Sequence, residues 1–207
     1  MSFRYWPVLL IVLVMVTRVP IGHAAEGRVG ADSGSGYKLG DRLPQKGASG
    51  DAKAPYREVT WDALLPAGWN PMDAFKGINL GMLSDGDPRA IQALERLREE
   101  WDKAPANAGM NGERIRIAGF VVPLDQQKGE LRQFLLVPYF GACIRSPPPP
   151  SNQIIHVLLA RPARNLRAMD PVWVSGALEV MRSETGMGAA GYRMNGDLIA
   201  AYKETRR

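Results

Sequence analysis

The hydrophobic pattern changes its period after Asn111-Gly112, and this change limits the possible folds more than any other feature of the sequence. Over residues 114–122 the apolar side chains alternate, which is the period of a half-buried β-strand. Further alternating or apolar runs follow at 133–137, 153–160 and 172–181. Turn-forming residues separate these runs. The sequence therefore predicts a strand-rich domain from about residue 113.

One amphipathic helix precedes the strands. Asp87 is its predicted N-cap and Pro88 its first residue. Apolar residues recur at helical spacing along one stripe, namely Ile91, Leu94, Leu97 and Trp101. Upstream, the apolar segment 60–66 is stopped by proline, so we expect only a short turn of helix there.

The last segment, Tyr192–Ile199, contains Asn195-Gly196, a dipeptide typical of a two-residue hairpin. Five or six short strands after one helix predict a mainly β, α+β chain with one N-terminal helix. Within that class we expect a small OB-like antiparallel barrel. A generic antiparallel α+β sheet is the alternative.

The first 24 residues have the parts of a cleavable signal peptide. Arg4 supplies the positive start, residues 8–16 the apolar centre, and Gly22-His23-Ala24 the cleavage site. A transmembrane anchor is the alternative, but it needs about 20 apolar residues and this run stops at Arg18. We therefore expect a periplasmic protein with no stable membrane insertion after cleavage.

The exported chain would consist of a leader and one domain. Residues 25–55 are rich in Gly, Ser, Asp, Lys and Pro, and this composition predicts a flexible leader. Residues 56–207 then form a single globular domain. Removal of residues 1–24 takes away two arginines and no acid, which lowers the formal net charge from +5 to +3. This mild basicity gives no indication of a nucleic-acid partner.

Cysteine and histidine are too few for most metal and catalytic sites. With one Cys and two His, the chain cannot form an internal disulfide, a structural zinc site with two thiolates or a site of three imidazoles. The remaining candidate is the loop 138–153, in which Pro147–Pro150 stiffen the chain beyond Cys143. His156 follows on the next strand. A Cys143/His156 pair could ligate Zn or Cu, or could activate the thiol as a nucleophile.

Four further residues of this loop are candidate binding residues: Tyr139, Arg145, Asn152 and Gln153. Arg145 would lower the pKa of the Cys143 thiol if the two side chains approach each other. The structural alternative is that Cys143 is a small buried hydrophobe and His156 a hydrogen-bonded strand residue.

The segments Ile117–Leu124 and Phe134–Ile144, the second followed by the proline run and Asn152-Gln153, form a long motif. This motif resembles an exported bacterial family, the domain of unknown function three-two-nine-nine, over about residues 59–202. The resemblance implies a periplasmic protein associated with metal-transport systems and implies no established enzymatic activity. The family usually has His at the position of Arg145, so this chain lacks the local Cys-x-His pair.

The sequence favours a periplasmic binding or accessory protein that is linked to transition-metal handling or transport. Its Cys143 loop would receive a small ligand, a metal ion or an envelope transport component. The alternatives are a thiol enzyme, with Cys143 as nucleophile and His156 as base, and a structural envelope protein. The enzyme is the more demanding hypothesis, because it also needs a group that stabilises an oxyanion.

Overall fold

The computed structural model describes residues 36–45, 55–71, 73, 76, 88–127, 129–144 and 148–203, and these contain one α-helix and eight β-strands. The helix is α1 (Pro88–Asp102). The strands are β1 (Arg57–Glu58), β2 (Arg114–Gln127), β3 (Glu130–Val137), β4 (Ile155–Arg164), β5 (Pro171–Glu179), β6 (Ser183–Thr185), β7 (Gly188–Ala190) and β8 (Tyr192–Ala201). Short 3-10 turns occupy Trp61–Leu64, Ala108–Met110 and Ser151–Gln153. The predicted signal peptide, Asp87 and Arg145 lie outside the described residues. In the described ranges no helix is long and apolar enough to cross a membrane.

Five strands close into a barrel in the order β2-β3-β4-β8-β5, with β5 hydrogen-bonded back to β2. The predicted mainly β fold, with one helix ahead of a small OB-like barrel, is confirmed. The barrel is not wholly antiparallel, because β4 and β8 run parallel. The reason is geometric: strand directions cannot alternate all the way round a closed ring with an odd number of strands, so at least one neighbouring pair must be parallel.

Side chains that point into the barrel fill it. The largest of them have no exposed surface, and they include Ile115, Ile117, Phe134, Leu136 and Tyr192. The Tyr192 hydroxyl donates a hydrogen bond to the Leu64 carbonyl at 2.6 Å and accepts one from the Asn107 N–H at 2.6 Å. The interior is therefore a packed core whose buried hydroxyl is satisfied.

A second apolar cluster lies on the outer surface of β2 and β3, around Phe120 and Leu135. Residues 36–45, which we call the strap, cover it. Leu43 of the strap is only 6% exposed. The Gly40 N–H donates to the Phe140 carbonyl at 3.0 Å, and the Phe140 N–H donates to the Asp41 carbonyl at 2.9 Å.

The strap lies within residues 25–55, for which the sequence predicts a flexible leader, so that prediction is corrected for residues 36–45. The physical reason is that a segment with only a few apolar side chains can still pack in one place when the domain already presents an apolar surface to it. Tyr37 packs edge-on against Phe120, with 5.3 Å between ring centroids. The Tyr202 hydroxyl also donates to the Pro44 carbonyl at 2.7 Å, so the strap is hydrogen-bonded to the residue that follows β8.

The predicted apolar stripe of the helix is only partly buried. Helix α1 occupies the predicted position, and Leu97 is 5% exposed. Ile91 and Leu94, however, are 53% and 39% exposed, whereas Ala93 is buried. The stripe prediction is therefore wrong for its first two members, because the buried face of the helix runs through Ala93 and Leu97 instead of Ile91 and Leu94.

The predicted hairpin at Asn195-Gly196 is wrong. Both residues lie inside β8, which pairs with β4 on one side and β5 on the other. The register between β5 and β8 shifts between Ser175 and Gly176. A Cβ on Gly176 would lie 2.2 Å from the Asn195 carbonyl oxygen, so glycine permits a close strand approach here.

Replacing Leu43 with alanine tests whether the strap is part of the folded domain. We expect Leu43→Ala to lower the free energy of unfolding by about 2 kcal/mol or more, because it removes a buried side chain. Leu39→Ala is the matched control, since Leu39 is 59% exposed and its loss should change stability by less than about 0.5 kcal/mol. Urea denaturation measures both, and equal midpoints for Leu43→Ala and the wild type would contradict a packed strap.

Candidate functional site

The loop between β3 and β4 begins with a tight turn that carries Cys143. The Ala142 N–H donates to the Tyr139 carbonyl, and the Ile144 N–H donates to the Gly141 carbonyl. Cys143 has a φ of 62°, a left-handed conformation that residues other than glycine rarely adopt. Such strain persists only where the surroundings fix the backbone, so this turn is held in one geometry.

The Cys143 thiol faces an apolar environment. The residue is half-buried and packs against the outer cluster beside Phe140. Burial raises the pKa of the Cys143 thiol to about 11. This direction is opposite to the one expected from an approach of Arg145. The thiol is thus protonated near neutral pH, and a protonated thiol is a poor nucleophile.

His156 has different neighbours from Cys143. It lies on β4, opposite Leu135 of β3 and Arg193 of β8. Its Nε2 is 3.1 Å from Gln133 Oε1, while its Nδ1 is buried and has no hydrogen-bond partner among the described residues. Burial, and then the charge of Arg193, lower the pKa of the imidazole, so the ring is neutral near pH 7.

The described part of the chain therefore shows no hydrogen-bonded Cys143/His156 pair. It also contains no group of three or more His, Cys, Asp or Glu side chains placed to hold a metal ion. Cys143 and His156 supply two potential ligands at most. A Zn or Cu site at this loop would need further ligands from outside the described residues or from a partner.

Asn152 and Gln153 are buried and bind the protein's own backbone. Asn152 is 0% exposed, and its Nδ2 donates to the Pro105 carbonyl at 3.0 Å. Gln153 is 6% exposed, and its Nε2 donates to the Trp61 carbonyl at 2.9 Å. The preceding Ser151 donates through Oγ to the Ala104 carbonyl at 3.2 Å. These side chains, two of them predicted to bind a ligand, anchor the loop to two segments that precede it by tens of residues.

The described prolines of the run are also packed rather than displayed. Pro149 and Pro150 are buried, and Pro148 is half-buried beside Gly188. The run therefore works as a spacer between the Cys143 turn and the buried anchors. It contributes little surface of its own to a docking site.

The exposed part of the site consists of the Cys143 turn and the tip of the strap. Ile144 is 44% exposed and Leu39 is 59% exposed. Tyr139 is half-buried, with the Arg42 guanidinium 5.9 Å from its ring centroid. We call Leu39, Tyr139, Cys143 and Ile144 the strap–loop surface. Sequence reasoning missed Leu39, since an isolated apolar residue in a glycine-rich stretch gives no periodic signal.

A family model described as "Protein of unknown function (DUF3299)" matches residues 61–201. The chain belongs to this family. A crystal structure of a DUF3299 family protein from Pseudomonas aeruginosa PAO1 is 32% identical to it, and the match covers 74% of this chain and 100% of that one, with a TM-score of 0.59. No curated protein matches the chain. The resemblance inferred from the motif around Cys143 is confirmed.

The raised pKa predicts how the single cysteine of this DUF3299 protein reacts. We expect the rate constant for alkylation by iodoacetamide to rise about tenfold per pH unit between pH 7 and 10 without a plateau, because the thiolate fraction follows a pKa of about 11. Urea-unfolded protein is the control. Its alkylation rate constant should level off at pH values above the ordinary thiol pKa of about 8.5. A plateau below pH 8.5 in the native protein would contradict the burial of the thiol.

Proposed function

We propose that this DUF3299 protein is a periplasmic binding or accessory module that docks an envelope protein through the strap–loop surface. The observation that carries the proposal is the exposure of Leu39 and Ile144, at 59% and 44%, on two segments joined by backbone hydrogen bonds. The buried centre of a protein–protein interface is more apolar than its rim, so exposed apolar side chains are suited to that position.

The strap and the loop are each fixed to the domain, and this supports a role of their exposed side chains in docking. The strap is paired with the loop at Gly40 and Phe140, and Leu43 holds it on the barrel. At its far end the loop is fixed by the buried amides of Asn152 and Gln153. A preformed surface loses little conformational entropy on binding, so a small apolar patch on it contributes more to affinity than the same patch on a flexible segment.

The chemistry of the loop argues against the thiol enzyme. At neutral pH the Cys143 thiol is protonated, and the described hydrogen bond of His156 goes to Gln133. A nucleophile needs a base within hydrogen-bond reach, and no such contact joins these two side chains. The packed barrel interior also makes an internal substrate chamber a poor alternative.

One sequence feature supports the envelope as the place of docking. Residues 1–24 have the pattern of a cleavable signal peptide. The partner that fits this surface is an envelope protein with an exposed apolar patch, such as a component of a transport system.

Site-specific photocrosslinking in cells tests this docking. A benzophenone amino acid at position 144 should form one discrete adduct with an envelope protein. The same amino acid at position 198 should not, although Leu198 on β8 is 61% exposed. With the purified partner, Ile144→Asp should weaken binding at least about tenfold, as expected for a central interface residue, while Leu198→Asp should not.

The outcomes separate the parts of the proposal. Equal adducts at positions 144 and 198, or no adduct at either, would contradict docking at the strap–loop surface. An adduct with a cytoplasmic protein alone would contradict export. Urea denaturation of Ile144→Asp verifies that its effect on binding does not come from unfolding.

A further inference from the structure

A cleft of about 340 Å³ opens beside the buried half of the same loop, and the docking proposed above does not use it. Four segments meet around it: the chain after α1, the 3-10 turn at Ser151, the connection between β5 and β6, and the connection between β7 and β8. The lining residues are Lys103, Ala104, Ala106, Ser151, Val180, Arg182 and Gly191. Its volume is at the lower end of ligand pockets, so a small molecule fits it better than a large one.

The floor of the cleft is fixed by close backbone contacts. The Gly191 N–H donates to the Ser151 carbonyl at 2.7 Å, and Ser151 Oγ donates to the Ala104 carbonyl at 3.2 Å. A Cβ at position 191 would lie 2.9 Å from the Ser151 carbonyl oxygen. Glycine is therefore needed for this approach, and the floor keeps its shape without a ligand.

The charged lining residues are both cations. Arg182 is already engaged, since its guanidinium binds the Asp102 carbonyl and lies 2.6 Å from Glu184 Oε1. Lys103 is exposed. Among the described residues, no carboxylate lies within ion-pair distance of it and no acidic side chain lines the cleft. Lys103 is thus the cation that remains available to a ligand.

The remaining side chains of the lining are mostly apolar. Ala104 is already buried, whereas Ala106 is half-buried and Val180 is 38% exposed, so these last two carry the accessible apolar surface. An inorganic anion would leave this apolar surface exposed to water. An aliphatic chain would cover it, and each methylene group removed from water would add to the affinity.

We propose that this cleft binds a small organic anion, with its carboxylate at Lys103 and a short aliphatic chain over Ala106 and Val180. Arg182 shapes the mouth of the cleft, because its two partners hold it in place. The site is independent of the strap–loop surface, so either proposal can fail without the other.

Titration of the full exported protein with butyrate, followed by the amide NMR signals of Ser151 and Gly191, tests the site. We expect saturable shifts with a Kd of about 1–10 mM, the range for a ligand of a few heavy atoms. Butylamine has the same chain and the opposite charge, and inorganic phosphate has the charge without the chain. Each should bind with a Kd at least about tenfold higher than that of butyrate.

Variants of Lys103 locate the carboxylate. Lys103→Ala should weaken butyrate binding about tenfold, which corresponds to about 1.4 kcal/mol, whereas Lys103→Arg should retain it. Lys203→Ala removes an exposed lysine that does not line the cleft and should have no effect. The proposal is overturned if butyrate gives no saturable shift, if butylamine or phosphate binds as well, or if Lys103→Ala binds butyrate like the wild type.

Discussion

The loop that carries this family's motif depends on hydrogen bonds that are buried away from water. Ser151, Asn152 and Gln153 direct their side chains to the carbonyls of Ala104, Pro105 and Trp61, respectively. A buried carbonyl that loses such a donor costs about 1–3 kcal/mol. The three contacts therefore bind the loop to the segment before the helix and to the segment after it. Both the strap–loop surface and the Lys103 cleft depend on this attachment.

Closure of the barrel imposes a second constraint. A closed ring of five strands must include at least one parallel pair, and here that pair is β4 and β8, with β8 lying between β4 and β5. The connection from β5 to β8 then carries β6 and β7 past the proline run, where Gly188 lies next to Pro148. Because the interior is packed, the proposed docking surface and ligand cleft both lie at the outside of the barrel, and sites on loops are common in folds of this kind.

The sequence was informative where a regular period decides the structure and less so elsewhere. Alternating apolar residues predicted the barrel, since Ile115 and Ile117 point inward as a half-buried strand requires. Asn195-Gly196 misled because its turn preference is local, whereas the strand is imposed by β4 and β5 on either side. The anchoring roles of Asn152 and Gln153 could not be predicted, because their acceptors come from Pro105 and Trp61, which are distant in sequence.

The most direct test of this account is the free energy of unfolding of Gln153→Ala, measured by urea denaturation. If Gln153 anchors the loop, the loss of its hydrogen bond to Trp61 should cost about 2 kcal/mol, since a buried carbonyl is left without a donor. Gln92→Ala is the matched control, because Gln92 is exposed on α1 and its change should stay within about 0.5 kcal/mol. A Gln153→Ala protein as stable as the wild type would contradict the claim that the motif is an anchor.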